Sequence, residues 1–344
     1  MDKLVASNPG AALVPVKMAF NNALAQGKEK GAVAWEVTKE KSAQAWQVTK
    51  EKSAEGGRKM KTLMRLDPIP VEGAEEGCFS PSRAALWLAV DKTSKITEFQ
   101  YTDEQQALSK GKTVAVLCTE EQFLACTNET KFSTGNHPVE TLVPIQHLLA
   151  AGFEVEFVTL SGKPVVLESW AYPKDGSLNV FSESLKDKLS SPKAISSVKA
   201  DDYVAVFVPG GHGAMLGLPD SDAVGSLLGD FLKQEKSLCA ICHGPAALLA
   251  LPKDTLKGYK LVAFPDVIDT QTPKIGYLPG QLPWFVCEKL KEKNEGIEFL
   301  NKTAGAQVHK DRNLITGASP AAADAFGKLC VDSIFESLEK ASSS

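Results

Sequence analysis

From Lys112 onward, short apolar runs rich in β-branched residues alternate with longer segments whose apolar positions recur at helical spacing. The runs TVAVLCT (113–119), GFEVEFVTL (152–160), YVAVFVPGG (203–211), SLCAIC (237–242) and KLVAFP (260–265) predict strands. Several are almost wholly apolar, as parallel strands covered on both faces should be. Between them, 137–152, 223–236 and 244–251 predict helices, and 320–340 predicts a last one. The first of these has Val139, Leu142, Val143 and Leu149 near helical spacing and Gly152 as its stop, while Pro144 within it predicts a kink. This alternation implies an α/β fold: a doubly wound parallel sheet with helices on both faces and its functional site at the carboxyl ends of the strands.

The first 66 residues follow a different pattern. AWEVTKEKSA at 34–43 returns as AWQVTKEKSA at 45–54, a period of 11 that would stack Trp35 and Trp46 on one face of a helix. The segment carries 12 Lys and Arg against 6 Asp and Glu, a local charge of +6. It reads as a basic extension, flexible or helical (1–66). Residues 67–110, with Pro68, Pro70 and Pro81 and no long periodic run, read as an irregular arm. The α/β catalytic domain then occupies 111–340.

Composition narrows the function classes. The net charge of −4 does not favour nucleic acid as a partner, and no apolar run is long enough to cross a membrane. No secretory signal is evident at the N-terminus. Seven cysteines, odd in number and mostly within apolar runs, suggest reduced thiols in the cytoplasm, with organellar import left open.

Chemistry concentrates in three segments. In SLCAICHGPAALLA a buried strand ends at Cys242 and a small-residue helix begins at once with His243, Gly244 and Pro245. Such a turn presents a nucleophile at the sheet edge, and a helix N-terminus there should favour thiolate over thiol. Cys239 and Cys242 also form C-x-x-C, but residues three apart on a strand diverge, which argues against a disulfide. In VPGGHGAMLGLP, Gly210 and Gly211 free backbone N–H groups that could join the N–H of His243 in an oxyanion hole, and His212 reads as a loop residue. In FSTGNHPVE, Glu140 falls in the first turn of a helix. It reads equally as a dipole-stabilising acid or as a carboxyl group beside the Cys242 thiol.

Taken together, STGNHPVETL, AAGFEVEFVTLSG, FVPGGHGAMLGLPDS, ICHGPAALLAL, AFPDVIDTQTPKIGYLPG and VHKDRNLITGASP resemble the DJ-1/PfpI superfamily, in its heat-shock-protein-thirty-one branch. The resemblance covers roughly 75–340. It implies a flavodoxin-like core with a small cap and a homodimer. It also implies Cys242 as nucleophile, His243 beside it, Asp269 as the orienting acid, Glu140 as a protonated carboxyl, and oxyanion-binding backbone at Gly210, Gly211 and His243. Asp269 carries no signal of its own in the local pattern. The metal site frequent in that branch, two histidines and a carboxylate, is not matched: Glu154 supplies the carboxylate, but Leu149 stands at one histidine position and no histidine follows in 155–200. Neither a metal nor a cofactor is therefore expected.

The activity the resemblance implies is a glutathione-independent glyoxalase (glyoxalase III), a lyase turning methylglyoxal or glyoxal into a hydroxy acid, with protein deglycase (hydrolase) activity beside it. A stress-inducible holding chaperone for unfolded clients is the alternative, and a cysteine peptidase or amidase the third.

Overall fold

The structure, a computed structural model, describes residues 66–89 and 101–342. The 11-residue repeats and all but the last residue of the 1–66 extension lie outside the described residues.

Seven strands form the central sheet: β1 (Thr113–Leu117), β2 (Glu154–Thr159), β3 (Lys193–Ala194), β4 (Ala205–Val208), β5 (Ser237–Ile241), β6 (Val308–Asp311) and β7 (Leu314–Gly317). Their spatial order is β6-β7-β5-β4-β1-β2-β3, parallel throughout except for the β6–β7 hairpin. The chain winds outward from β1 to β3, then returns to β4 on the other side of β1. That reversal puts the switch point between β1 and β4, where a doubly wound sheet opens a crevice at its carboxyl edge. Four of the five expected strands lie in this sheet.

Alternation along each strand divides the core in two. Val114, Val116, Phe207 and Ile315 face α1 (Pro138–Ala150) and α3 (Ala323–Ser342). Ala115, Leu117, Val206 and Val208 face α2 (Asp222–Lys233) and the 3₁₀ segment Gly244–Ala250. Helix α1 runs through Pro144 to Ala150. It crosses α3 closely at Gly327, where a Cβ would come within 2.6 Å of the His147 ring and 2.9 Å of the Pro144 Cα.

Three expectations are corrected. KLVAFP contributes only Lys260–Leu261, paired with Glu298–Phe299 in a separate two-stranded sheet. Beyond Leu261 the backbone is taken by side chains: Val262 N donates to Thr316 Oγ1 and Ala263 N to Asn301 Oδ1, leaving no ladder to extend. The helix at 244–251 is 3₁₀, with Ala246 N bonding His243 O and Leu251 N bonding Leu248 O. The arm at 67–110 is more regular than expected. It supplies strands Ile69–Pro70 and Cys78–Ser80 and helices Arg83–Ala89 and Asp103–Ser109, the last opened by a Thr102–Gln105 capping box. Its two strands join Lys131–Ser133 and Phe123–Ala125 in a four-stranded sheet. Phe132 of that sheet lies edge-on to the His212 ring at 5.5 Å, so this small layer borders the carboxyl edge of the central sheet.

Among the described residues no helix is long and apolar enough to cross a membrane.

Candidate active site

Strand β5 delivers Cys242 one residue beyond its end. There the backbone is forced into the left-handed region, φ +60°, a conformation that a cysteine adopts at a cost of about 1 kcal/mol or more. The turn is pinned from both sides, since Cys242 N donates to Gly317 O (2.8 Å) and Cys242 O accepts from Phe264 N (3.0 Å). Adjacent glycines make room. A Cβ on Gly210 would lie 2.7 Å from the Cys242 Cβ and 2.1 Å from Glu140 Oε2, and one on Gly211 would lie 2.3 Å from Gly135 O.

His243 places Nδ1 3.4 Å from the Cys242 sulfur and Nε2 2.8 Å from Asp269 Oδ2. The ring is stacked on Phe264 at 4.9 Å, which fixes its plane. Asp269 ends a short helix, Asp266–Asp269, that is itself anchored because Asp266 accepts from Cys287 N and Glu288 N. Burial alone would push the Asp269 carboxyl up. The His243 charge and the His212 hydrogen bond overcome it and hold the group down at about 2, so Asp269 is a carboxylate.

Glu140, in the first turn of α1, is fully buried. Burial pushes its carboxyl up to about 8, with the Cys242 thiol and the Gly211 N–H opposing and Glu168 adding. It is therefore protonated at neutral pH and sits within reach of the sulfur, although neither oxygen makes a hydrogen bond of ordinary geometry. The two readings of this glutamate are thus separated: it belongs to the thiol's surroundings.

The expectation of a lowered thiol is overturned. Burial pushes Cys242 well up, Glu140 and Asp269 push the same way, and only the His243 N–H opposes them. A seven-residue 3₁₀ segment cannot compensate for removing the sulfur from water. The Gly211 and His243 amides, named as oxyanion donors, face the Glu140 carboxyl and the sulfur respectively. Cys239 and Cys242 are both free, buried thiols with no disulfide between them, and Cys239 neighbours Cys330 of α3.

His212 is not the loop residue expected. It opens a 3₁₀ turn, His212–Met215, is buried, and sets Nε2 3.2 Å from Asp269 Oδ1 with its ring 4.0 Å from that of His243. Glu168 and Tyr277 also escaped sequence reasoning. Glu168 is buried, with Oε1 accepting from Thr134 Oγ1 (2.8 Å), and burial pushes it up to about 7 against the opposing charge of His212. Tyr277 lies 6.0 Å from the His212 ring and 5.6 Å from Trp170, closing an aromatic wall with Phe132. Nothing local distinguishes LESWAYP or GYLP in sequence; only tertiary placement does.

Among the described residues, His212, His243 and Asp269 alone have the spacing of metal ligands, and hydrogen bonds already commit them to one another. Glu154 is exposed at the start of β2, and His147 is buried against α3 with Nε2 2.8 Å from Asp324 Oδ1, so the two-histidine, one-carboxylate set does not assemble around them.

Comparison with known proteins shows the family to which the chain belongs. The model of the DJ-1/PfpI family matches residues 132–333. The protein/nucleic acid deglycase HchA of Escherichia coli (strain K12 / DH10B) is 43% identical over 267 residues, covering 75% of this chain and 93% of that protein. Two solved structures share the fold: the Francisella tularensis rapid encystment protein REP24 (TM-score 0.56, 21% identity, 65% of this chain and 99% of that one) and glyoxalase III from Candida albicans (TM-score 0.54, 19% identity, 64% and 97%). The family match spans Cys242, His212, His243, Glu140, Glu168 and Asp269, and the chain belongs to the DJ-1/PfpI family.

Proposed function

We propose that this protein is a cofactor-independent enzyme acting on α-oxoaldehydes and their early adducts, with glutathione-independent conversion of methylglyoxal to lactate as its simplest reaction. The observation that carries this reading is a buried thiol held between an imidazole nitrogen and a protonated carboxyl. Such a site supplies both a nucleophile and a proton for the carbonyl oxygen it attacks.

The steps balance within the site. Cys242 Sγ adds to the aldehyde carbon; its proton passes to His243 Nδ1, and Glu140 protonates the oxygen, giving a hemithioacetal. Glu140, now a carboxylate, removes the hydrogen on that carbon while His243 protonates the neighbouring oxygen, giving an enediol. Glu140 returns the proton to the second carbon as His243 takes one from the first hydroxyl, leaving a lactoyl thioester. Water, deprotonated by Glu140, cleaves it, and His243 protonates the departing sulfur. One carbon is oxidised as its neighbour is reduced, so no external redox partner is needed. Asp269 keeps the His243 Nε2 proton in place throughout, while the Gly211 amide opposes the Glu140 carboxyl and the His243 amide the sulfur, where each favours the charged form.

Deglycation joins the same sequence one step earlier: the hemithioacetal or aminocarbinol of a protein breaks its C–S or C–N bond, the protein thiol or amine leaves with the hydroxyl proton, and Cys242 adds to the aldehyde so released. The name of the E. coli relative extends it to nucleic acid, and a net charge of −4 is no bar to small glycated groups on either polymer. The chaperone alternative gains nothing from the described surface, whose exposed large apolar side chains are Val180, Val267 and Leu300.

The test is lactate formation from methylglyoxal without glutathione. Wild type should form lactate, Cys242→Ser should fall by about 10³-fold or more, and Glu140→Gln by about 10²-fold. Absence of lactate from folded wild type would overturn the reading. Release of free amine from glycated protein after methylglyoxal has been scavenged separates the hydrolase from the lyase.

A further inference from the structure

We propose that His212 is a positioning residue for Cys242: its imidazole occupies the second oxygen of Asp269 and so fixes the carboxylate that aims His243. The inference rests on Cys242 being the reacting thiol, not on which carbonyl it attacks.

An aspartate held through one oxygen can still turn about its terminal torsion, which is broad. Here each oxygen meets one imidazole, Oδ2 with His243 Nε2 at 2.8 Å and Oδ1 with His212 Nε2 at 3.2 Å. Because Asp269 is a carboxylate, it accepts in both contacts, so both rings carry their hydrogen on Nε2. For His243 this turns Nδ1 toward the sulfur, 3.4 Å away. Removing the His212 donor would orphan a buried carboxylate oxygen and free Asp269 to rotate.

The His212 ring is itself immobilised. Gly211, at φ +99°, brings the backbone against Gly135 and His137, the ring lies edge-on to Phe132, and Tyr277 stands beyond it. The titratable groups facing it are Asp269, His243, Glu168 and His137. Burial and the neighbouring His243 charge push His212 down, against Asp269 and Glu168. With the two rings 4.0 Å apart over one carboxylate, His212 stays neutral and the proton leaving Cys242 has His243 as its acceptor.

A pair of substitutions separates positioning from packing. His212→Phe keeps the aromatic fill but cannot donate; His212→Gln keeps a donor near the Nε2 position but loses the ring. The readouts are kcat and KM for lactate formation, and the rate at which iodoacetamide alkylates Cys242 near neutral pH, located by mass mapping. His212→Phe should lower kcat about 10- to 100-fold with KM within about twofold, and slow alkylation in parallel. His212→Gln should recover both to within about fivefold of wild type. A folded His212→Phe that matches wild type, or a folded His212→Gln as impaired as His212→Phe, would overturn the proposal. If His212→Phe does not fold, His212→Leu, equally unable to donate, replaces it with the same expected loss. If wild type forms no lactate, the alkylation rates alone decide, so failure of the glyoxalase reading is seen separately.

Discussion

His243 and His147 each place Nε2 2.8 Å from an aspartate oxygen, Asp269 Oδ2 at the strand ends and Asp324 Oδ1 in the seam between α1 and α3. The Asp269 side chain is 2% exposed, whereas that of Asp324 is 35% exposed. Burial pushes the His147 imidazole down despite its partner, while the two imidazoles on Asp269 hold that carboxyl near 2. The same pair of residue types therefore does different work. In the seam, an aspartate open to water tethers one helix to another. At the strand ends, a dry carboxylate bridges two rings, one of which faces a thiol. A histidine–aspartate distance says little about function until the exposure of the acid and the neighbour of the other ring nitrogen are known.

That contrast predicts a ladder of effects. Asp269→Asn should lower lactate formation by about 10²- to 10⁴-fold with the protein still folded, because an amide cannot hold both Nε2 hydrogens. Comparable activity in that variant would place Asp269 on the same footing as Asp324. Next in size is the pH dependence of stability. Glu140 titrates at about 8 in the folded chain against an ordinary 4.5, so the stability its proton confers is complete below pH 4.5 and is lost as pH rises through 8. Glu168, raised to about 7, acts in the same direction. Asp269 has the opposite sign, its contribution being lost only as pH falls from 3.8 through 2. Buried His137, held down at about 3, and His147 and His212, also held down, act the other way below pH 6.5, so the melting temperature should decline chiefly between about pH 6.5 and 8, by an amount corresponding to about 2 kcal/mol from Glu140, and Glu140→Gln should flatten the decline. A slope unchanged by Glu140→Gln would contradict a protonated Glu140. In the seam, Gly327→Ala should destabilise by about 1–3 kcal/mol in urea unfolding, since its Cβ meets the His147 ring and Pro144, while kcat is retained. Asp324→Asn should be the mildest, about 1 kcal/mol or less with no change in kcat, because the acid of this hydrogen bond is open to water and an amide oxygen can still accept from His147.

The candidate site at the strand ends was legible where chemistry coincides with a local pattern. An apolar strand ending at Cys242 and running into His-Gly-Pro marks an elbow, and Gly-Gly after an apolar strand marks a close approach of backbones. Asp269 came only through the family resemblance, because an acid in a loop 27 residues beyond the nucleophile has no local mark. His212 and Glu168 were not legible at all. Their roles arise from a stacked ring and a buried carboxyl that come together only when β4, the 131–137 segment and the loop after β2 close on one another. The thiol's titration was misjudged for a related reason: a helix start can be read from sequence, but the extent to which the sulfur is withdrawn from water cannot. Similarly, 260–265 has the composition of a strand, yet the side chains of Thr316 and Asn301 intercept its amides.

The left-handed backbone at Cys242 has a consequence for how the protein can be improved. Glycine is at ease where φ is +60°, and cysteine is not. Selection for endurance alone would therefore favour glycine here, whereas the role proposed for Cys242 requires its side chain. Position 242 is thus a place where heat tolerance and catalysis pull in opposite directions, and stabilising this enzyme has to proceed through other parts of the chain.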